Sequence, residues 1–195
     1  MAKRFVFLEI TDPEIITLIS GIREIAMGAQ PRGNVHITIR GPYDREIPPS
    51  QLERYQRTLR SDPILLQGVD SFQDEGRQVV YMKVNHPKLR RMWWKPDFPV
   101  RTFGFNPHIT LYEGTDAARA QGLIAFLVQE KLKLVTWDFA VTLHVTDHKD
   151  LFGTKRQGDA LFLKLVNRGL VRPDILARLS RALDPHQAIR VAGTG

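Results

Sequence analysis

The chain has no cysteine in its 195 residues. Disulfide frames, thiolate metal sites and cysteine nucleophiles are therefore excluded. No apolar run approaches the roughly 20 residues of a membrane-crossing helix, so no membrane partner is expected. The opening Met1-Ala2-Lys3-Arg4 leads straight into a short strand-like run ending at Glu9. It lacks the longer apolar stretch and small-residue cleavage site of a secretory signal, and a cytoplasmic location is the expectation. Acidic residues are in deficit: 28 Lys and Arg stand against 21 Asp and Glu, a net charge of +7. Residues 149–195 hold nine basic and four acidic residues, so that segment carries +5. Such a balance favours anionic partners, phosphates or nucleic acid, although a solubilising surface has the same composition. At 43% hydrophobic and 25% charged, the rest is ordinary for a globular protein, long enough for one domain or two small lobes sharing a core.

What is present is a short stretch that occurs twice. Residues 34–39 read Asn34-Val35-His36-Ile37-Thr38-Ile39, and residues 106–111 read Asn106-Pro107-His108-Ile109-Thr110-Leu111. Composition alone, six histidines and twelve threonines, predicts about 0.4 His-x-Thr triplets. Three occur, the third being His144-Val145-Thr146. Only the first two share the longer Asn-x-His-Ile-Thr-aliphatic frame, which chance does not explain. Alternation of polar and apolar residues makes each copy a half-buried strand. Strict alternation places His36, Thr38 and Arg40 on one face, and His108, Thr110 and Tyr112 on the corresponding face of the other strand. His144, outside the frame, reads as a strand histidine with a structural role, although its side chain could also line a cleft.

Around these strands the pattern is mixed. Lys3 to Ile10 reads as a strand with Phe5, Phe7 and Glu9 on one face, the phenylalanines as core. Asp12 caps a helix with Pro13 at its first position, and Ile15, Leu18, Ile19, Ile22 and Ile25 form its apolar stripe. A polar helix is expected over residues 51–60. Strands are expected over 64–72 and 78–85, joined by the turn Gln73-Asp74-Glu75-Gly76. A short helix follows Pro87. Trp93 to Phe105 is an aromatic and basic connection, a candidate stacking platform with Arg90, Arg91 and Lys95, or equally a buried helix end. Thr115 or Asp116 caps another helix. One long strand is expected over 136–146 and a final strand over 160–166. The loop between them carries Gly153, Lys155, Arg156 and Gly158, a solvated turn or a phosphate-reaching one. Pro173 opens a last amphipathic helix, and the tail after Asp184 is frayed. His86, His148 and His186 read as surface residues. Hairpins joining strands as often as helices do argue for an α+β architecture. Two lobes related by a rough two-fold, with mostly antiparallel sheets, outer helices and a central cleft, would let the repeated strands face each other.

Two imidazoles across a cleft suit paired acid–base chemistry, because histidine titrates near neutrality. Two threonine hydroxyls suit the non-bridging oxygens of a phosphate between them. A zinc site fits poorly, since no acidic residue sits beside either histidine. Neither copy carries a serine nucleophile. Arg40, Tyr43 and Tyr112 are candidate substrate-binding residues, with rim packing as the alternative for the tyrosines.

The doubled His-x-Thr strand resembles the 2H phosphoesterase superfamily, which includes bacterial 2′-5′ RNA ligases and 2′,3′-cyclic nucleotide phosphodiesterases. The likeness runs over most of the chain and treats residues 1–195 as one such domain, with 185–195 a flexible tail. It implies a bilobal fold, a hydrolase needing no metal or other cofactor, and catalytic residues His36, Thr38, His108 and Thr110. The substrate it implies is an RNA end or a small cyclic nucleotide, opened by water to a 2′-phosphate with His108 as base and His36 as acid, or the reverse. No obligate protein partner is evident. The alternatives are a reversible 2′-5′ RNA ligase using the same residues, and a non-catalytic module that binds RNA or a phosphorylated nucleotide.

Overall fold

A long helix whose buried face is almost wholly apolar has to be covered, and much of the chain packs against one such helix. The structure, a computed structural model, describes residues 2–28, 33–92, 104–146 and 162–184. Its elements run β1 (Lys3–Ile10), α1 (Pro13–Met27), β2 (His36–Tyr43), α2 (Pro49–Leu59), β3 (Ile64–Asp74), β4 (Arg77–Asn85), α3 (Leu89–Met92), β5 (His108–Gly114), α4 (Ala117–Glu130), β6 (Lys133–Thr136), β7 (Phe139–Thr146), α5 (Leu163–Asn167) and α6 (Ile175–Leu183). The expected α+β class holds. The strands form two antiparallel sheets, ordered β2-β1-β7 and β5-β4-β3-β6.

Helix α1 starts where its signals lie: the Asp12 carboxylate accepts from the Glu14 and Ile15 N–H groups, and Pro13 opens the first turn. Ile15, Leu18, Ile19 and Ile22 are fully buried, each worth about 1.5–3 kcal/mol of apolar burial. Helix α1 packs against β5, α4, α5 and α6. Arg119 of α4 donates to the Ile25 and Ala26 carbonyls, so a cation closes the negative end of α1.

The two motif strands sit at equivalent edges, and their registers repeat position by position. Glu9, Leu8 and Phe7 lie opposite His36, Ile37 and Thr38; Lys83, Met82 and Tyr81 lie opposite His108, Ile109 and Thr110. Both ladders then slip by one residue immediately after the threonine. Val6 faces Arg40 and Val80 faces Tyr112, leaving Ile39 and Leu111 as the extra residues of two matching β-bulges. The bulges overturn strict alternation. Tyr112 turns away from the face of His108 and Thr110 to lie over Val80 in the core, 4% exposed. Its hydroxyl donates to the Asp116 carbonyl and accepts from the Asp116 N–H.

Three further expectations are corrected. The single strand over 136–146 is two strands in different sheets: β6 pairs with β3 and β7 with β1. The Thr136 hydroxyl accepts the Asp138 N–H and donates to Asp12, fixing the break between them. The final strand over 160–166 is helix α5 where it is described. The Glu14 carboxylate, 151 positions away in sequence, accepts the Leu165 N–H in the first turn of that helix. His86 is buried, with its Nε2 donating to the Leu59 carbonyl and its Nδ1 accepting from Lys88 N–H. Trp93, Trp94, Lys95, the 149–158 loop, His148, His186 and the tail lie outside the described residues.

Gly41, in β2 just past the bulge, has φ of 114°, and a Cβ there would sit 2.7 Å from the Arg4 carbonyl oxygen. Gly41→Ala is expected to destabilise the fold by about 1–3 kcal/mol, seen as a lower urea midpoint at unchanged slope. An unmoved midpoint would contradict this register.

Candidate active site

The edge strands β2 and β5 bring their histidine–threonine faces to one small cavity. Arg23, His36, Thr38, Asn106, His108 and Thr110 line it, and it encloses about 110 Å³. That is well below the 300 Å³ or so of a drug-sized pocket, and commensurate with one phosphate-sized group.

The two imidazoles are held in the same way. His36 Nδ1 lies 2.9 Å from the Asn34 carbonyl oxygen, and His108 Nδ1 lies 2.7 Å from the Asn106 carbonyl oxygen. A carbonyl only accepts, so both Nδ1 atoms carry the hydrogen. Each Nε2 is thereby the free nitrogen: a base when the ring is neutral, a proton donor when it is charged. Each ring also rests on an aromatic residue from the neighbouring strand. Phe7 lies between His36 (4.0 Å between centroids, 20° between planes) and His144 (5.0 Å, 17°). Tyr81 packs on His108 at 4.8 Å, with Phe72 edge-on at 5.8 Å. Phe7 is therefore core only in part; one face of its ring orients a histidine.

Burial is the main influence on both imidazoles and pushes each below the ordinary value of 6.5. The backbone bonds to Asn34 and Asn106 oppose it. At His36 the Arg23 charge also lowers the value, and the Glu9 charge raises it by less. Glu9 is fixed beside the site by the Asn34 amide and the Thr142 hydroxyl, both at 2.8 Å. Burial thus favours the neutral form of both rings at pH 7.

The remaining predicted residues lie elsewhere. Arg40 donates its Nε to the Tyr43 hydroxyl and its Nη1 to the Met92 carbonyl; neither Arg40 nor Tyr43 lines the cavity, and Tyr43 is buried. His144 stacks on Phe7, and its buried Nε2 has no partner among the described residues. Arg23, Glu9, Phe7 and Tyr81 were not picked out as site residues from sequence. Arg23 had one signal: it falls within the apolar stripe of α1, between Ile22 and Ala26, where a charge is costly without a purpose. Among the described residues no three His, Cys, Asp or Glu side chains gather where they could hold a metal ion. No described helix is long and apolar enough to cross a membrane.

The chain matches no protein-family model, and no curated protein matches it significantly.

Nitrogen-15 NMR should find His36 and His108 as Nδ1–H tautomers at pH 7, titrating below the ordinary imidazole range. The unfolded chain takes up these protons near 6.5 and the folded one only at lower pH, so stability should fall as pH drops through that value. Nε2–H tautomers would contradict the assigned hydrogen bonds.

Proposed function

We propose that this chain is a metal-independent phosphodiesterase of the 2H type, opening 2′,3′-cyclic phosphates on RNA ends or small nucleotides to a 2′-phosphate. The observation that carries the reading is the matched pair of imidazoles, each with its Nδ1 spent and its Nε2 free, lining one phosphate-sized cavity with two threonines. The repeated register of the two sheets supports a bilobal fold with internal two-fold character.

In the forward step His108 Nε2 takes a proton from a water molecule as its oxygen bonds to phosphorus. His36 Nε2–H gives its proton to the 3′-oxygen as the bond from phosphorus to that oxygen breaks. The net change adds one water, and exchange with solvent resets both rings. Thr38 and Thr110 donate to the non-bridging oxygens, where charge grows in the transition state. The assignment of His36 as acid rests on Glu9. Its carboxylate is the one acidic group acting on either imidazole among the described residues. A bound phosphate neutralises the opposing field of Arg23 and leaves Glu9 to favour the His36 imidazolium.

Turnover of a 2′,3′-cyclic nucleotide should persist in EDTA and follow a bell-shaped pH profile. His36→Ala and His108→Ala should each lower it about 10²- to 10⁴-fold, and Thr38→Ala or Thr110→Ala about 10²- to 10³-fold. Full turnover in either histidine variant would sink the reading. A joined product from a cyclic end and a 5′-hydroxyl RNA would turn it into ligation by the same residues.

A further inference from the structure

We infer that Arg23 makes the cavity a preformed oxyanion seat, binding the phosphoryl group directly and holding inorganic phosphate in the absence of any nucleoside. The choice of phosphate as the anion rests on the phosphodiesterase reading above.

Arg23 is 6% exposed, and burial lowers its pKa to about 10, so it remains a cation at pH 7. It makes no ion pair among the described residues. Its hydrogen bonds are to two main-chain oxygens: Nε donates to the Thr110 carbonyl at 2.8 Å and Nη1 to the Asn34 carbonyl at 3.3 Å. Nη2 has no partner among the described residues and is not sealed off, for it is absent from the fully buried unsatisfied atoms; the guanidinium lines the cavity. A desolvated charge without a counter-ion costs several kcal/mol, and a fold keeps such a group where something repays the cost.

The surroundings specify what repays it. Among the described residues no carboxylate lines the cavity; the other polar side chains there are two imidazoles, two threonines and Asn106. The Thr38 and Thr110 hydroxyls and both Nε2 atoms are bound to no other protein group among the described residues. With the guanidinium they line one cavity of a volume suited to a tetrahedral oxyanion. Arginine suits this position where lysine does not. Two of its donor nitrogens staple the motif strands at Asn34 and Thr110, and the fork still presents a third to a ligand.

A purely structural staple would use the same two carbonyls, so the test separates binding from folding. Thermal unfolding and calorimetry with sodium phosphate, against sodium chloride at equal ionic strength, give the affinity without any turnover. The wild-type chain should be stabilised saturably by phosphate. Arg23→Met should bind it about 10- to 100-fold more weakly, with Arg23→Lys between the two. If Arg23→Met melts lower in chloride yet binds phosphate like wild type, Arg23 is a staple only and the inference fails. If Arg23→Met does not fold, wild-type nitrogen-15 NMR decides: phosphate should shift the Arg23 guanidinium signals, and unmoved signals overturn the inference. Phosphate held through Arg23 in a chain that turns over no cyclic phosphate supports the seat and sinks only the enzyme reading. Cyclic phosphate turnover in a chain that binds no phosphate sinks only the seat.

Discussion

Each motif histidine spends its Nδ1 on the carbonyl two residues before it, and that local bond determines what the cavity can do. It fixes the ring about its last torsion, sets the tautomer and points Nε2 away from the strand. The bond forms because a strand histidine at the start of an edge meets a carbonyl from the turn that delivers it, once at Asn34 and once at Asn106. Phe7, stacked on His36, and Tyr81, tilted against His108, then support the rings from behind. The two halves reach the same local solution with different aromatic residues, and the charges opposite the histidines differ in sign: Glu9 in one, Lys83 in the other.

Much of this was legible in the sequence, and what escaped has a common cause. The Asp12-Pro13 start of α1, its apolar stripe, the hairpin at Glu75-Gly76 and the doubled His-x-Thr frame are all local signals that need no partner to be read. The bulges at Ile39 and Leu111 are properties of a pair of strands, so alternation along one strand misplaced Tyr112. Helix α5 depends on Glu14, a carboxylate from the far end of the chain. The break between β6 and β7 depends on which sheet each half joins. His86 was read as surface from lack of a motif, yet two main-chain groups satisfy its ring in the core. Arg23 was visible as a charge in an apolar stripe; the carbonyls that hold it, from Asn34 and Thr110, belong to the two motif strands.

The electrostatics of the site follow from burial. Burying both imidazoles favours their neutral forms, which suits a base and opposes an acid. In the proposed mechanism an anion beside Arg23 offsets its charge and favours the His36 imidazolium. Ligand and protonation state are linked in that mechanism.

The central claim is that one phosphorus is gripped from both sides. A crystal structure of the chain with a nucleoside 2′-phosphate bound tests it most directly. The account predicts phosphate oxygens within hydrogen-bond distance of both His36 Nε2 and His108 Nε2 in the same molecule. A phosphate held by one ring alone, or seated outside the cavity with the base in its place, would contradict it.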